Sequence, residues 1–281
     1  MRPRPQVAIA AGRDPRAMVL AALELCRAAE VVRPDQRVVL KPNYVEPMMP
    51  EQGVTTDPRI ISAVIAWLKD LGVSDITIAE GGDTAAKTDR AFRMVGLPEI
   101  AARLGVRLLN VFHDERVEVA IPGAASLHRV GLARTILEAD CLINLPKLKC
   151  HSMSQVTLGI KNLMGAVVPD KWIMHQEIHQ RLADLATVLR PKLCLIDGLV
   201  GSERHETAGS PVETNVIIAG RDPVATDVVA TMVMQLDPAR VEHLQLCAQR
   251  GLGEGRPDRI EVIGAPVERV CKPYRPPYAY R

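Results

Sequence analysis

This sequence predicts an α/β fold in which helices cover both faces of a mainly parallel sheet. Three observations carry that expectation. Short apolar runs of strand length alternate with longer amphipathic segments in βαβ order. Several of the runs end in polar or glycine-rich residues, as parallel strands do where they border a ligand crevice. The rhythm is interrupted once, by a short β-rich excursion near 106–135. No internal repeat or low-complexity linker divides the 281 residues, so the expectation is a single domain over 1–281, with a subdomain at 106–135 and an extended C-terminal tail at 266–281.

The elements follow in order. QVAIAA predicts a strand over 6–11, and 15–29 has the apolar spacing of an amphipathic helix. RVVL over 37–40 is a second short strand. Asp57 then caps a helix that opens on Pro58, with Ile61, Val64, Ile65 and Leu68 on one face. DITIA at 75–79 is a third strand, and 88–104 is helical with a break near Gly96-Leu97-Pro98. LLNVF, VEVAIPG and LHRVGLA then predict short strands joined by turns. The βα order resumes with a strand at 141–145, a helix over 171–189, and strands at 193–197 and 215–220. A helix opened by Asp222-Pro223, another over 238–250 and a strand at 259–263 complete the pattern. KPYRPPYAYR, with three prolines, predicts an extended tail.

Composition narrows the function. There are 35 basic and 33 acidic residues, a net charge of +2, and aromatics make up 3% of the chain. So even a balance, with so few rings to stack on bases, argues against a nucleic-acid partner. No apolar run approaches the roughly 18 to 20 residues of a membrane span, and the N-terminal apolar run is shorter than a secretory core of about 7 to 15 residues. The expectation is a cytoplasmic protein with no membrane segment. The six cysteines are dispersed with no CxxC pair, so neither an iron–sulfur motif nor a zinc ribbon is present. A GxGxxG dinucleotide fingerprint and a GxxxxGK[ST] phosphate loop are also absent. The cofactor, the metal and the oligomeric state are left open.

The chemistry concentrates in CLINLPKLKCHSMSQVTLGIKNLMG, Cys141 to Gly165. If Lys41, Lys147, Lys149 and Lys161 point into one crevice at the strand ends, they form a site for a carboxylate or phosphate. Lysines crowded together also lose protons more easily, which suits Lys149 and Lys161 to acid–base work. Thr157 and Lys161 are spaced to share a helical face, and a helix starting near Ser154 would add backbone donors to the same anion. His151, directly after the lysine pair, is the preferred general acid or base. Asn43, Asn144 and Asn162 would orient the ligand, while Glu80 and Asp197 would balance charge or bind a metal. His175 and His179 are four apart in HQEIH, a weak metal-binding spacing that makes His175 a ligand-contacting candidate. Asp227, a carboxylate in an otherwise apolar helix, needs a partner. A site lysine and a neighbouring helix end are equally open to it.

The same block resembles the signature of the DUF362 family. VVLKPNYV, TTDPRIISAVIAWLKDLG, ITIAEGG, CLIDGLVG, RDPVATDVVA and the late RGLG agree with it in order, over roughly 6–264. The resemblance implies an α/β domain. Some members of the family carry a ferredoxin-like iron–sulfur insert, which implies redox-linked work; this chain lacks that cysteine motif. The loop after the DG strand, GSERHETAGSP, keeps Glu203 and departs elsewhere. The functional expectation is an enzyme acting on a small anionic metabolite or cofactor. The alternative is a non-catalytic accessory protein docking to an iron–sulfur redox partner.

Overall fold

The structure, a computed structural model, describes residues 4–280. Its centre is a 10-stranded, mostly parallel mixed sheet. β1 (Gln6–Ala11) leads to helix α1 (Pro15–Leu25), which Asp14 caps by accepting from the Arg16 amide. The helix stops short of 29 because Arg27 turns left-handed at φ 57°. β2 (Val38–Lys41) and α2 (Pro58–Asp70) follow, the latter capped by Asp57 as its Asp-Pro start predicts. After β3 (Ile76–Glu80), Gly96 at φ 70° divides the next helical segment into α3 (Ala85–Met94) and α4 (Leu97–Leu104).

The β-rich excursion divides between two sheets. β4 (Arg107–Asn110) joins the main sheet in parallel with β3. β5 (Arg116–Ala120) and β6 (Arg129–Ala133) form a separate antiparallel pair. A single helical turn, α5 (Arg134–Leu137), returns the chain to β7 (Cys141–Asn144). Then come β8 (Lys147–His151), β9 (Gln155–Val156) and α6 (Leu158–Asn162). The helix expected over 171–189 is a 3-10 turn, Trp172–His175, followed by α7 (Ile178–Val188), with Glu177 left-handed at φ 45° between them.

β10 (Leu193–Glu203) and β11 (Ser210–Gly220) are both longer than expected and pair as an antiparallel hairpin. Asp197 is therefore mid-strand and not at a strand end. α8 (Pro223–Val233), α9 (Glu242–Gln249) and β12 (Glu261–Gly264) complete the α/β pattern, with residues 238–240 forming a 3-10 turn before α9. In the tail, α10 (Val267–Val270) is one helical turn; beyond it Tyr274 is buried and its hydroxyl lies 2.7 Å from that of Thr214.

The strand order is β12-β1-β11-β10-β7-β2-β3-β4, with β8 paired to β10 and to β9. Alternate residues of each strand feed two cores, one on each face. Val7 and Ile9 join the cluster containing α7, α8 and α9, while Ala8 and Ala10 join the one built on α1 and α2. From β2 the chain steps outward to β3 and β4, then returns to the other side of β2 as β7. The order reverses between β2 and β7, and a crevice opens beyond their carboxyl ends at such a point.

Candidate functional site

The site grows from β8. A strand has a period of two, so KLKCH turns Lys147, Lys149 and His151 to one face and Leu148 and Cys150 to the other. All five are buried. Cys150 thus belongs to the apolar core, where burial pushes its thiol up to about 12. The described cysteines are all free thiols.

The four lysines expected in one crevice divide into two kinds. Lys147 donates to Asp197 Oδ2 at 2.7 Å, directly in register on β10. Asp197 is completed by the amides of Asp57 at 2.8 Å and Leu199 at 3.0 Å. Lys41 pairs with Glu80 and also donates to the Pro42 carbonyl at 3.1 Å. Burial pulls the Lys41 pKa down, and Glu80 opposes it. Both lysines are closed ion pairs set behind the cavity wall, and Asp197 with them; Glu80 alone of these four residues lines the cavity.

Lys149 is held differently. Its ammonium donates to Asn43 Oδ1 at 2.8 Å and to the Val54 carbonyl at 2.9 Å. Because lysine only donates, this contact sets the direction of every amide that follows. Asn43 Nδ2 donates to Asn162 Oδ1 at 2.7 Å, Asn162 Nδ2 to Asn144 Oδ1 at 2.8 Å, and Asn144 Nδ2 to the Gly159 carbonyl at 2.8 Å. The three asparagines form a relay that ties β2, β7 and α6 together beneath Lys149. Asn144 lies behind the lining as support; Asn43 and Asn162 face the cavity.

That cavity has a volume of about 660 Å³. Lys149, His151, Thr157 and Lys161 line its inner part with Glu206 beside His151, and Phe112, Lys171, Trp172 and His175 complete the wall. Burial, reinforced by the Lys161 charge, pushes Lys149 down to about 7. Burial likewise takes Lys161 to about 8 against the pull of Glu206, and Lys171 to about 7 against the pull of Glu80. Lys171 donates to the carbonyls of Gly81 and Gly82 and stands 4.6 Å from the Phe112 ring centre. Gly81 must be glycine here, since a Cβ would run into Val111 and the Lys171 ammonium.

His151 is a neutral donor. Its Nδ1 accepts the Met153 amide at 3.1 Å, which leaves the proton on Nε2, 3.9 Å from Glu206 Oε1. Burial and the charges of Lys161 and Lys149 hold its pKa well below the usual imidazole value. Burial raises the Glu206 carboxyl, but hydrogen bonds from the Ser152 amide and hydroxyl and from its own amide, with the charge of His205, together hold it below its ordinary range.

Two polar groups on the cavity wall lack partners among the described residues. Thr157 Oγ1 is buried without a hydrogen bond, and the half-buried Lys161 has no acceptor for its ammonium; His175 Nδ1 is buried against the Lys171 backbone. The backbone around Thr157 is also strained: Gln155 at φ 65° and Leu158 at φ 45° adopt left-handed conformations that these residue types rarely take.

Two expectations are corrected. The backbone donors at the start of α6 do not face the cavity, because Asp227 accepts from the Gly159 amide at 2.7 Å and the Ile160 amide at 2.8 Å. Asp227 is the partner of a helix end and lies behind the cavity lining. His175 and His179 do not share a helical face, since the turn at Glu177 separates them. His175 lines the cavity, while His179 stacks on His243 with ring centres 5.6 Å apart. Among the described residues no three His, Cys, Asp or Glu side chains gather as a metal would require. Sequence reasoning missed Lys171, Trp172, Phe112 and Glu206. The lysine-tryptophan pair in PDKW was the available signal.

Fold and site together define an α/β protein with a lysine-lined cavity at the reversal point of its sheet. The chain belongs to the family described as domain of unknown function (DUF362), whose family model matches residues 38–232. A thylakoid-associated protein of Synechocystis is 28% identical over 259 residues, covering 88% of this chain and 78% of that protein. Among solved structures, the lactate racemase apoprotein of Thermoanaerobacterium thermosaccharolyticum superposes with a TM-score of 0.41 at 15% identity, covering 89% of this chain. The chain spans 57% of the length of that racemase. Among the described residues no helix is long and apolar enough to cross a membrane.

Proposed function

We propose that the cavity binds a small anionic ligand, a carboxylate or phosphate, and that the protein is an enzyme acting on it. The observation that carries this reading is the set of unpartnered groups on the inner wall. Thr157 Oγ1 is buried without a partner, and buried polar groups are seldom left so unless something else satisfies them; the half-buried Lys161 lines the same cavity with no acceptor for its ammonium. An anion would accept from both and would draw protons back onto lysines that burial has pushed down. Lys161 and Lys149, at about 8 and about 7, have the proton affinity that acid–base work near neutral pH calls for. His151 supplies an Nε2–H donor and orients the ligand more readily than it accepts a proton. A cytoplasmic location and a redox-linked reaction remain part of this proposal.

Sulfate is the probe that tests it, because it does not itself titrate across the relevant range. Calorimetry is expected to show saturable binding that Lys161→Ala weakens roughly ten- to a hundredfold, as loss of a charge-assisted hydrogen bond does. The pH dependence follows from the lysines. Their pKa values in the free protein are depressed, so Lys149 and Lys171 lose their charge as pH rises through about 7 and Lys161 as it rises through about 8. Affinity should therefore be highest on the acid side of pH 7 and fall as pH rises through about 7 to about 8. Glu206, already held ionised, adds no titration in that window. Absent binding, or binding indifferent to Lys161, would shift the reading to an accessory protein that docks to an iron–sulfur redox partner.

A further inference from the structure

The inner wall accounts for one end of the ligand and leaves most of the cavity unexplained. A volume of about 660 Å³ falls in the middle of the roughly 300–1,000 Å³ range that holds drug-sized molecules. A bare phosphate or a three-carbon acid would leave most of it to water. The remaining wall differs in character from the lysine end. Trp172 is 72% exposed, one of the few large apolar side chains turned to solvent, and it lines this cavity. Its ring centre lies 5.0 Å from that of His175 at an angle of 47°. Phe112, whose ring faces the Lys171 ammonium, and Met164 also line the cavity, as do the carboxylates Glu46, Asp83 and Asp170.

An exposed tryptophan costs solubility and contributes little to the core, so its place at a cavity mouth needs a reason. The backbone that carries it is fixed. The Trp172 amide donates to Asp170 Oδ1 at 2.8 Å, and the preceding Lys171 is fixed to the Gly81 and Gly82 carbonyls. The adjacent imidazole lines the same cavity, its Nδ1 buried against the Lys171 backbone. Tryptophan is the side chain best suited to stack on a planar, electron-poor ring, and an aromatic pair prefers offset or tilted contact over a sandwich.

Resting on the anion-site reading above, we infer that the ligand is a ring-bearing anion: its carboxylate or phosphate reaches Lys161 and Thr157, and its planar ring seats against Trp172 beside His175. The lysine end supplies charge recognition common to any small anion. The aromatic end supplies selectivity and explains the size of the cavity.

Matched pairs that differ only in the ring test this. Methyl phosphate against phenyl phosphate, and acetate against benzoate, keep the charge constant. Calorimetry on the full chain should show the ring-bearing member of at least one pair binding about tenfold more tightly, in line with the stacking gains seen when bases meet aromatic side chains. Trp172→Ala should abolish that difference while leaving methyl phosphate and acetate unaffected. Lys161→Ala should weaken every probe that binds. In a Trp67→Phe background, the ring-bearing probe should quench the single remaining tryptophan. Equal affinities within both pairs, with Lys161→Ala still weakening all, would overturn the ring seat and leave the anion site standing. No binding of any probe, unchanged by Lys161→Ala, would overturn both.

Discussion

Lys147 and Lys149 are separated by one residue on the same face of one strand, yet their surroundings give them different work. Lys147 meets a carboxylate that also accepts two backbone amides, so the pair is closed and dry. Lys149 meets only neutral oxygens, and burial leaves its pKa at about 7, so that it loses its proton near neutrality. Removing one member of a buried pair strands the other's charge, whereas removing both is far milder. Lys147→Met is therefore expected to cost about 3–5 kcal/mol in urea unfolding, and adding Asp197→Asn should recover part of it. A loss below about 1 kcal/mol would mean that water reaches the pair. The sequence marked Lys147 as a ligand contact because its partner lies 50 positions away, where no local pattern reveals it. Asparagine direction was equally hidden, since the relay from Lys149 to Gly159 closes only after β2, β7 and α6 are brought together.

At the scale of elements, the helix starts were legible and the short irregular pieces were not. Asp-Pro openings at 14–15, 57–58 and 222–223 all begin helices, because proline fixes φ and aspartate accepts the free amides. KLKCH carries the alternation of a strand, but it follows Leu145-Pro146, which reads as a loop. HQEIH reads as helical throughout, and the left-handed residue that breaks it is Glu177, with no glycine or proline to mark the place. The five-residue α6 places Thr157 and Lys161, and such a short helix cannot hold itself in water. Its first turn is anchored by Asp227 of α8 through two buried amides. Asp227→Ala leaves both amides without acceptors, which at about 1–3 kcal/mol each should destabilise the protein by about 2–5 kcal/mol. Under the proposed function it should also weaken sulfate binding, because Lys161 loses its fixed base. Urea midpoints and sulfate calorimetry on the same variant measure the two effects. Stability lost with affinity unchanged would show that α6 keeps its place without the cap.

At the scale of the whole molecule, the alternation of strands and helices was readable, while the strand order was not. β1 pairs antiparallel with β11, Val7 opposite Gly220, and parallel with β12 on its other side. Such pairings join the two ends of the chain, and periodicity cannot report them. Their consequence is that the family-matched span of 38–232 contains every residue lining the cavity yet lacks β1, α1, α9 and β12. A chain trimmed to 38–232 would expose the full outer edge of β11, whose unpaired amides and carbonyls invite pairing with another chain. It would also uncover Leu195, Ile217 and Ala219, which share a core with α1. The trimmed chain is expected to aggregate, or to keep far-UV circular dichroism while losing the near-UV signal and cooperative unfolding. A monodisperse trimmed chain that unfolds cooperatively and binds sulfate as the full chain does would mean that the site needs only the inner strands. The geometry argues otherwise. β10 carries Asp197, the partner that closes Lys147 on β8, and β11 is held on its far side by β1 alone. The strand that begins the chain therefore braces the hairpin against which the lysine strand is set.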